Sequence, residues 1–372
     1  MPNIKSLYLN VYYRDILVGR LEQEQDGLVS FEYDEKYLSS PKSFSISPFS
    51  LPLKKGKFLP KDMRFGGLFG VFYECLPTSF AKTLLKKHLA KAGVDYDSLT
   101  PLTKLSLLLP NHFGALSFSP GRFDVKRYPG DLNGEQINLD EYRKRCFSFL
   151  EGKEEITTKD IALLGMGKGN YASLTYLLNG SYWDARLYLD RTIITEGQDE
   201  YDLYKAARKC EIMTTTTLLS FSKLSQGNFT YKRIDRDKKD KLHCLSLRSI
   251  LELQSFSSID YLSVLETIYK LTHDEYQMYE MLRRITFIVA LGLNSYSPDD
   301  IFFIYNEYRE SYELAPFFNI KPPTDFYEHQ ISTNWKGHPR KEDIAEIAMK
   351  AGLSYHESMD IIESVWKIAI KG

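Results

Sequence analysis

The chain has 372 residues, 48 of them basic and 49 acidic, for a formal net charge of −1. With 43 % hydrophobic and 26 % charged residues it is excluded from the disordered class, and its length fits about two or three packed units. The charge balance excludes a global basic field for nucleic acid. No uncharged apolar run approaches the roughly 20 residues of a membrane span, so a soluble, cytoplasmic protein with no membrane partner is expected. Cys75, Cys146, Cys210 and Cys244 lie far apart without a CxxC pair, so no zinc knuckle or disulfide framework is read from them.

Alternation over Ile4–Tyr13 and again over Ile16–Leu21, across the polar Arg14-Asp15 turn, predicts a hairpin, and Leu28–Tyr33 predicts a further strand. Ser39–Pro60 is crowded with Ser, Pro and Lys and predicts an extended irregular segment. Helix-like spacing follows over Phe69–Leu89, interrupted at Leu76-Pro77. Residues 1–120 therefore read as a β-rich module, and the polar stretch 121–138, with Gly121, Pro129-Gly130 and Gly134, as a linker. A helix over Leu139–Leu150 precedes the glycine-rich Gly165-Met166-Gly167-Lys168-Gly169-Asn170. Strands over Ala172–Leu178 and Tyr182–Leu189, a helix over Asp199–Lys209, and a hairpin of Thr214–Leu224 with Phe229–Ile234 complete a mixed lobe at 139–235. Residues 236–372 are mainly helical, with Tyr261–Leu271, Glu275–Leu291, Lys341–Ala351 and Tyr355–Ile370 as the clearest helices. Gly352 is placed as the residue that ends the third of them.

This order of segments resembles the HipA family of bacterial toxin-type Ser/Thr kinases. The likeness rests on Val18-Gly19-Arg20-Leu21, Phe31-Glu32-Tyr33-Asp34, Ser50-Leu51-Pro52-Leu53, Phe72-Tyr73-Glu74-Cys75-Leu76-Pro77 and Gly114-Ala115-Leu116. In the core it rests on Asp199-Glu200-Tyr201, on Lys232-Arg233-Ile234-Asp235-Arg236, and on Leu314-Ala315-Pro316-Phe317-Phe318-Asn319-Ile320, which is similar to the family's LaPxYDi signature. The resemblance implies an α+β fold with a kinase-like two-lobe core behind a small N-terminal subdomain. It also implies a helix-turn-helix antitoxin as partner, with DNA reached only through that partner.

Phosphoryl transfer depends on positioning and charge neutralisation, so the charged groups are diagnostic. Against the family's NxDxHxKN loop, Gly292–Asp300 puts Asn294 at the catalytic Asp, Tyr296 at the His, Pro298 at the Lys and Asp299 at the metal-binding Asn. Asn319 falls at the second metal-binding Asp. An amide at Asn294 removes the proton acceptor, and an amide at Asn319 removes a negative charge opposite a divalent ion. On the nucleotide side, Arg186 falls near the strand lysine and Glu200 at its helix partner. Gly165, Gly167, Lys168 and Gly169 read either as a phosphate-approaching loop or as a flexible turn. Lys232 and Ile234 offer backbone groups to an adenine or simply end a charged strand.

The leading expectation is thus a HipA-like kinase fold with a degenerate site, a pseudokinase acting by contact, with ATP and magnesium only if the cleft functions. The alternative is an active Ser/Thr kinase in which Asp299 or Asp300 supplies base and metal contacts, acting on a protein such as an aminoacyl-tRNA synthetase. A third reading is a scaffold filled by Tyr296 and Phe317. His243, His329 and His338 are expected at the surface.

Overall fold

In the computed structural model, which describes residues 8–121, 137–165, 171–189, 195–238, 240–254, 259–325 and 328–371, the first alternating segment forms β1 (Tyr8–Tyr13). It pairs antiparallel with β2 (Ile16–Gln23), which pairs with β3 (Val29–Tyr33). The two-residue β4 (Lys57–Phe58) and β5 (Leu116–Ser119) close a sheet of order β4-β3-β2-β1-β5. Side chains of a strand alternate between faces, and here Leu9, Val11 and Tyr13 go inward. Gly19 is required where β2 meets β3, because a Cβ there would collide with the Glu32 carbonyl. The Ser- and Pro-rich stretch after β3 is irregular, as its composition predicts, and two buried tyrosines hold it. Tyr33 donates its hydroxyl to Leu51 O at 2.7 Å and Tyr37 donates to Phe44 O at 2.9 Å, so backbone that makes no ladder still finds partners.

A second sheet has the order β6-β7-β9-β8, with β6 (Tyr171–Leu178), β7 (Ser181–Tyr188), β8 (Thr217–Ser220) and β9 (Asn228–Lys232). One face is apolar: Ala172, Leu174, Ala185 and Leu187 share a core with Leu84 and Leu85 of helix Ser79–Ala90 and Phe149 of helix Leu139–Glu151. That core joins residues from both sides of the 121–138 stretch. The opposite face carries Ser173, Thr175, Asp184, Arg186, Phe229 and Tyr231. After β9 come a two-residue hairpin, β10 (Arg236–Asp237) with β11 (Asp240–Lys241), and the short β12 (Cys244–Ser246).

The chain divides into two units. The first comprises Met1–Gly197, Leu218–Leu245 and Ser249–Glu252, so it takes in both sheets; the second comprises Gln198–Thr217, Ser246–Arg248 and Leu253–Gly372. The second is built on helices Tyr261–Thr272, Glu275–Ala290, Lys341–Lys350 and Tyr355–Lys371, with the hairpin β13 (Phe302–Asn306) and β14 (Ser311–Leu314). Asp260 and Asp274 cap the first two helices by accepting from Leu262 N at 2.9 Å and Tyr276 N at 3.0 Å. Gly352, at φ +92°, follows the third. No described helix is long and apolar enough to cross a membrane.

Three sequence expectations differ from what is seen. The helix expected from Asp199 begins at Glu196. The strand expected over Thr214–Leu224 shrinks to β8, because Asp140 captures the chain beyond it: Ser222 Oγ donates at 2.7 Å, Lys223 N at 2.7 Å and Asn228 Nδ2 at 3.0 Å. His243 is not at the surface. It is 1 % exposed, shares a hydrogen bond with Ile46 O at 2.9 Å and packs on Tyr13 and Phe44.

Candidate functional site

In the helical unit, the loop after helix Glu275–Ala290 turns at Gly292, where φ is +61°. This delivers Asn294 against the segment near residue 324. Its Nδ2 donates to Thr324 O at 2.9 Å, and its Oδ1 accepts from Thr324 N at 2.9 Å and from Thr324 Oγ1 at 3.2 Å. Both ends of the amide are therefore used on one residue, and a carboxylate, which has no proton to give, makes only half of the clamp.

Two residues on, the chain goes inward. Tyr296 is buried, its ring edge-on to Phe317 at 5.3 Å, and its hydroxyl donates to Asp300 O at 3.2 Å. Burial pushes its phenol well above the ordinary value. The Arg284 guanidinium lies over the Phe317 ring at 5.4 Å, so Tyr296 and Phe317 form part of this unit's core. Asp299 turns outward, 3.7 Å from Arg248, with its side chain 36 % exposed.

Asp300, not Asp299, is the carboxylate that meets Asn319. It is 5 % exposed, and its Oδ2 accepts from Ser297 N at 3.0 Å and Ser297 Oγ at 2.9 Å. Its Oδ1 accepts from Asn319 Nδ2 at 2.7 Å, with the Lys321 ammonium 3.6 Å away. Asn319 holds the left-handed conformation at φ +62°, which Asn tolerates better than most residues. Glu200 is buried on helix Glu196–Lys209 in the same unit.

The other predicted positions lie in the two-sheet unit. Arg186 is 1 % exposed, its guanidinium 4.9 Å from the rings of Tyr171 and Tyr231 and 5.7 Å from that of Phe229. Three aromatic faces thus hold this cation. Gly165 donates its N–H to Ser173 O at 2.8 Å, and a Cβ at Gly165 would run into the Ser173 side chain, so glycine is needed there for close approach. Gly167, Lys168 and Gly169 lie outside the described residues. Lys232 is half-buried at the end of β9 opposite Trp183, and Ile234 is buried.

Arg233, Asp235 and Arg236 form a network that sequence reasoning passed over. Arg233 Nη2 donates to Asp235 Oδ2 at 2.8 Å, and Arg236 Nη1 donates to the same oxygen at 2.6 Å. Arg233 Nε donates to Asp235 Oδ1 at 2.9 Å, and the two guanidiniums also reach Asn111 O at 2.8 Å, His112 O at 3.1 and 2.9 Å and Gly114 O at 3.3 Å, while Asp235 accepts from Gly114 N at 2.8 Å. Burial pushes the Asp235 carboxyl up, but the two guanidiniums outweigh it and hold it below the usual range. Burial brings Arg236 down to about 10, whereas Arg233, facing Asp235 and Asp184, is raised. Burial also presses Lys241 down to about 7, with both arginines adding to it. The signal in the sequence was a basic–acidic alternation, which looks the same on a solvated strand end.

An antiparallel five-stranded module, sharing a core with a four-stranded sheet, together with a helical unit that carries a loop and hairpin, makes an α+β protein. Residues 9–119 match the family model described as HipA N-terminal domain. No curated protein matches the chain. Among solved structures it is similar to a chain of the HipA, HipB and operator DNA complex of the Shewanella oneidensis MR-1 toxin–antitoxin system. That match has 12 % identity and a TM-score of 0.69, and it covers 96 % of this chain and 88 % of that one. The Helicobacter pylori proinflammatory kinase CtkA also matches, at 12 % identity and TM-score 0.40 over 58 % of this chain and 96 % of that one. The HipA resemblance read from the sequence is borne out in the N-terminal module and in the fold.

Proposed function

We propose that this chain is a non-catalytic HipA-like protein of a toxin–antitoxin type system, acting by binding rather than by phosphoryl transfer. The observation that carries this reading is the donor set of the helical unit. A kinase needs a carboxylate free to take a proton and carboxylates that face a divalent ion. Asn294 offers an amide whose two ends are engaged by Thr324. The one buried carboxylate of the cluster, Asp300, already accepts from Ser297 and Asn319 and has the Lys321 ammonium near it. No group of three His, Cys, Asp or Glu side chains suited to a metal occurs among the described residues. Amides at Asn294 and Asn319, beside a carboxylate already engaged, make a poor set for magnesium.

The partner in this reading is a helix-turn-helix antitoxin, through which the protein reaches operator DNA. Its support is the Shewanella oneidensis relative, which is described in complex with HipB and operator DNA. An active kinase is the second reading, and one observation favours it: the Asp300 carboxylate lies beside Asn319, so a carboxylate and an amide stand together where metal ligands are implied. The experiment that separates the two is calorimetry of ATP with magnesium, together with incorporation of labelled phosphate. The non-catalytic reading expects no incorporation. Robust labelling that is lost in Asp300→Asn would establish the kinase instead.

A further inference from the structure

The helical unit carries an open groove that none of the phosphotransfer residues lines. Its walls come from two helices. Lys209 closes helix Glu196–Lys209, and Glu363, Ser364, Lys367, Ile368 and Lys371 stand on the C-terminal half of helix Tyr355–Lys371. The volume of about 660 Å³ lies within the roughly 300–1,000 Å³ of small-ligand sites.

The charge of this lining is one-sided. The one acid among its described residues, Glu363, is already matched from outside the groove: the Lys341 ammonium lies 2.8 Å from its carboxylate and over the Trp366 ring at 5.4 Å. Asp202, on the helix of Lys209, accepts instead from Gln198 at 2.7 Å and Lys205 at 3.1 Å. Lys209, Lys367 and Lys371 are exposed and make no ion pair among the described residues. Lys367 and Lys371 are four residues apart on one helix, so their ammoniums are neighbours and repel. A lysine in the last turn complements a helix dipole, which accounts for Lys209 or Lys371 singly. Three ammoniums on one groove still have no counter-charge.

We propose that this groove binds a small molecule carrying several phosphates, which Lys209, Lys367 and Lys371 neutralise while the Ser364 hydroxyl donates a hydrogen bond. The residue types favour phosphate over carboxylate. The planar fork of arginine suits carboxylates, and the described lining has no arginine; lysine acts as a point charge, which suits the multiply charged, tetrahedral phosphate group. An acidic peptide would also need an apolar pocket for an anchoring side chain, and Ile368 is the lone apolar side chain of the described lining. Several phosphates on one compact molecule supply the charge that three ammoniums lack. Magnesium takes the same phosphate oxygens, so a magnesium nucleotide is not a ligand of this groove. The inference holds whichever way the phosphotransfer residues are read.

The test titrates inorganic tripolyphosphate into the full chain by calorimetry, at low salt and with EDTA. One saturable site is expected. Lys209→Gln, Lys367→Gln and Lys371→Gln together should weaken it at least tenfold while thermal unfolding stays unchanged, since all three side chains are exposed. Lys42→Gln, Lys54→Gln and Lys61→Gln together remove the same charge from exposed positions of the two-sheet unit and should leave the affinity within twofold. Glu363→Gln, which removes the acid of the lining and releases Lys341, should tighten binding at least twofold. An arm without variants reads acetylation of the wild-type lysines by mass spectrometry: tripolyphosphate should slow it at least fivefold at Lys209, Lys367 and Lys371 but not at Lys42 or Lys54. Absence of saturable binding overturns the proposal. So does binding that survives loss of the three groove lysines, equal weakening by the two triple variants, or protection of Lys42 and Lys54 as strong as that in the groove. Duplex DNA or a poly-glutamate peptide binding more tightly than tripolyphosphate through the same three lysines overturns it as well.

Discussion

One buried cluster in each unit centres on an aspartate, Asp235 in the two-sheet unit and Asp300 in the helical unit, and the two are built from opposite materials. In the two-sheet unit, Asp235 lies between two guanidiniums that also donate to carbonyls of residues 111–114. In the helical unit, Asp300 is held by neutral donors, a backbone N–H, a hydroxyl and an amide, with one lysine farther off. The first cluster is a brace: its charges are spent on fixing the loop that ends the N-terminal module against the second sheet. The second occupies the segments in which the HipA resemblance implies the chemistry, and there the amides of Asn294 and Asn319 are engaged in hydrogen bonds.

The largest effect should come from breaking the brace. Asp235→Ala leaves Arg233 and Arg236 buried without their counter-charge and should cost about 3–5 kcal/mol in chemical denaturation. A comparable loss is expected from acid. His243 is fully buried and its ring is held down to about 4 by burial, against an ordinary value of 6.5. A base whose folded value is depressed contributes its stability above pH 6.5 and loses it as the pH falls toward 4. His243 should contribute a fall of about 3 kcal/mol across that window to a pH series of unfolding free energies, beside that of buried His112, so His243→Phe should flatten part of the drop.

Smaller effects test the other cluster. Asn294→Asp removes the donor to Thr324 O and should destabilise by about 1–3 kcal/mol without creating phosphotransfer. If that variant instead labels itself with phosphate, the amide was the only barrier to catalysis and the contrast between the clusters fails. Asp299→Asn should be the mildest change, within about 1 kcal/mol, since its pairing with Arg248 is partly exposed and long. A large loss there would mean that the outward carboxylate, not Asp300, organises the loop.

Much of the fold was legible because it rests on periodicity. The strand alternation over Tyr8–Tyr13 and the helical stripes of Tyr261–Thr272 and Lys341–Lys350 need only local spacing and a cap, and each appears within a residue or two of its expected bounds where described. What could not be read depends on contacts distant in sequence. Asp140 truncates β8 from about 80 residues away in the chain, and His243 reaches a carbonyl at residue 46. Which of Asp299 and Asp300 meets Asn319 was not legible for the same reason. Asp299 and Asp300 are the same residue type side by side, and only the left-handed turn at Asn319 and its 2.7 Å bond decide which carboxylate goes inward. The Asn294 clamp was equally invisible, since its partner Thr324 carries no pattern of its own.

The most direct test of the account is phosphate transfer itself. The wild-type chain, incubated with labelled ATP and magnesium, should incorporate no label and show no binding heat attributable to a magnesium nucleotide. Stoichiometric labelling that disappears in Asp300→Asn would contradict it.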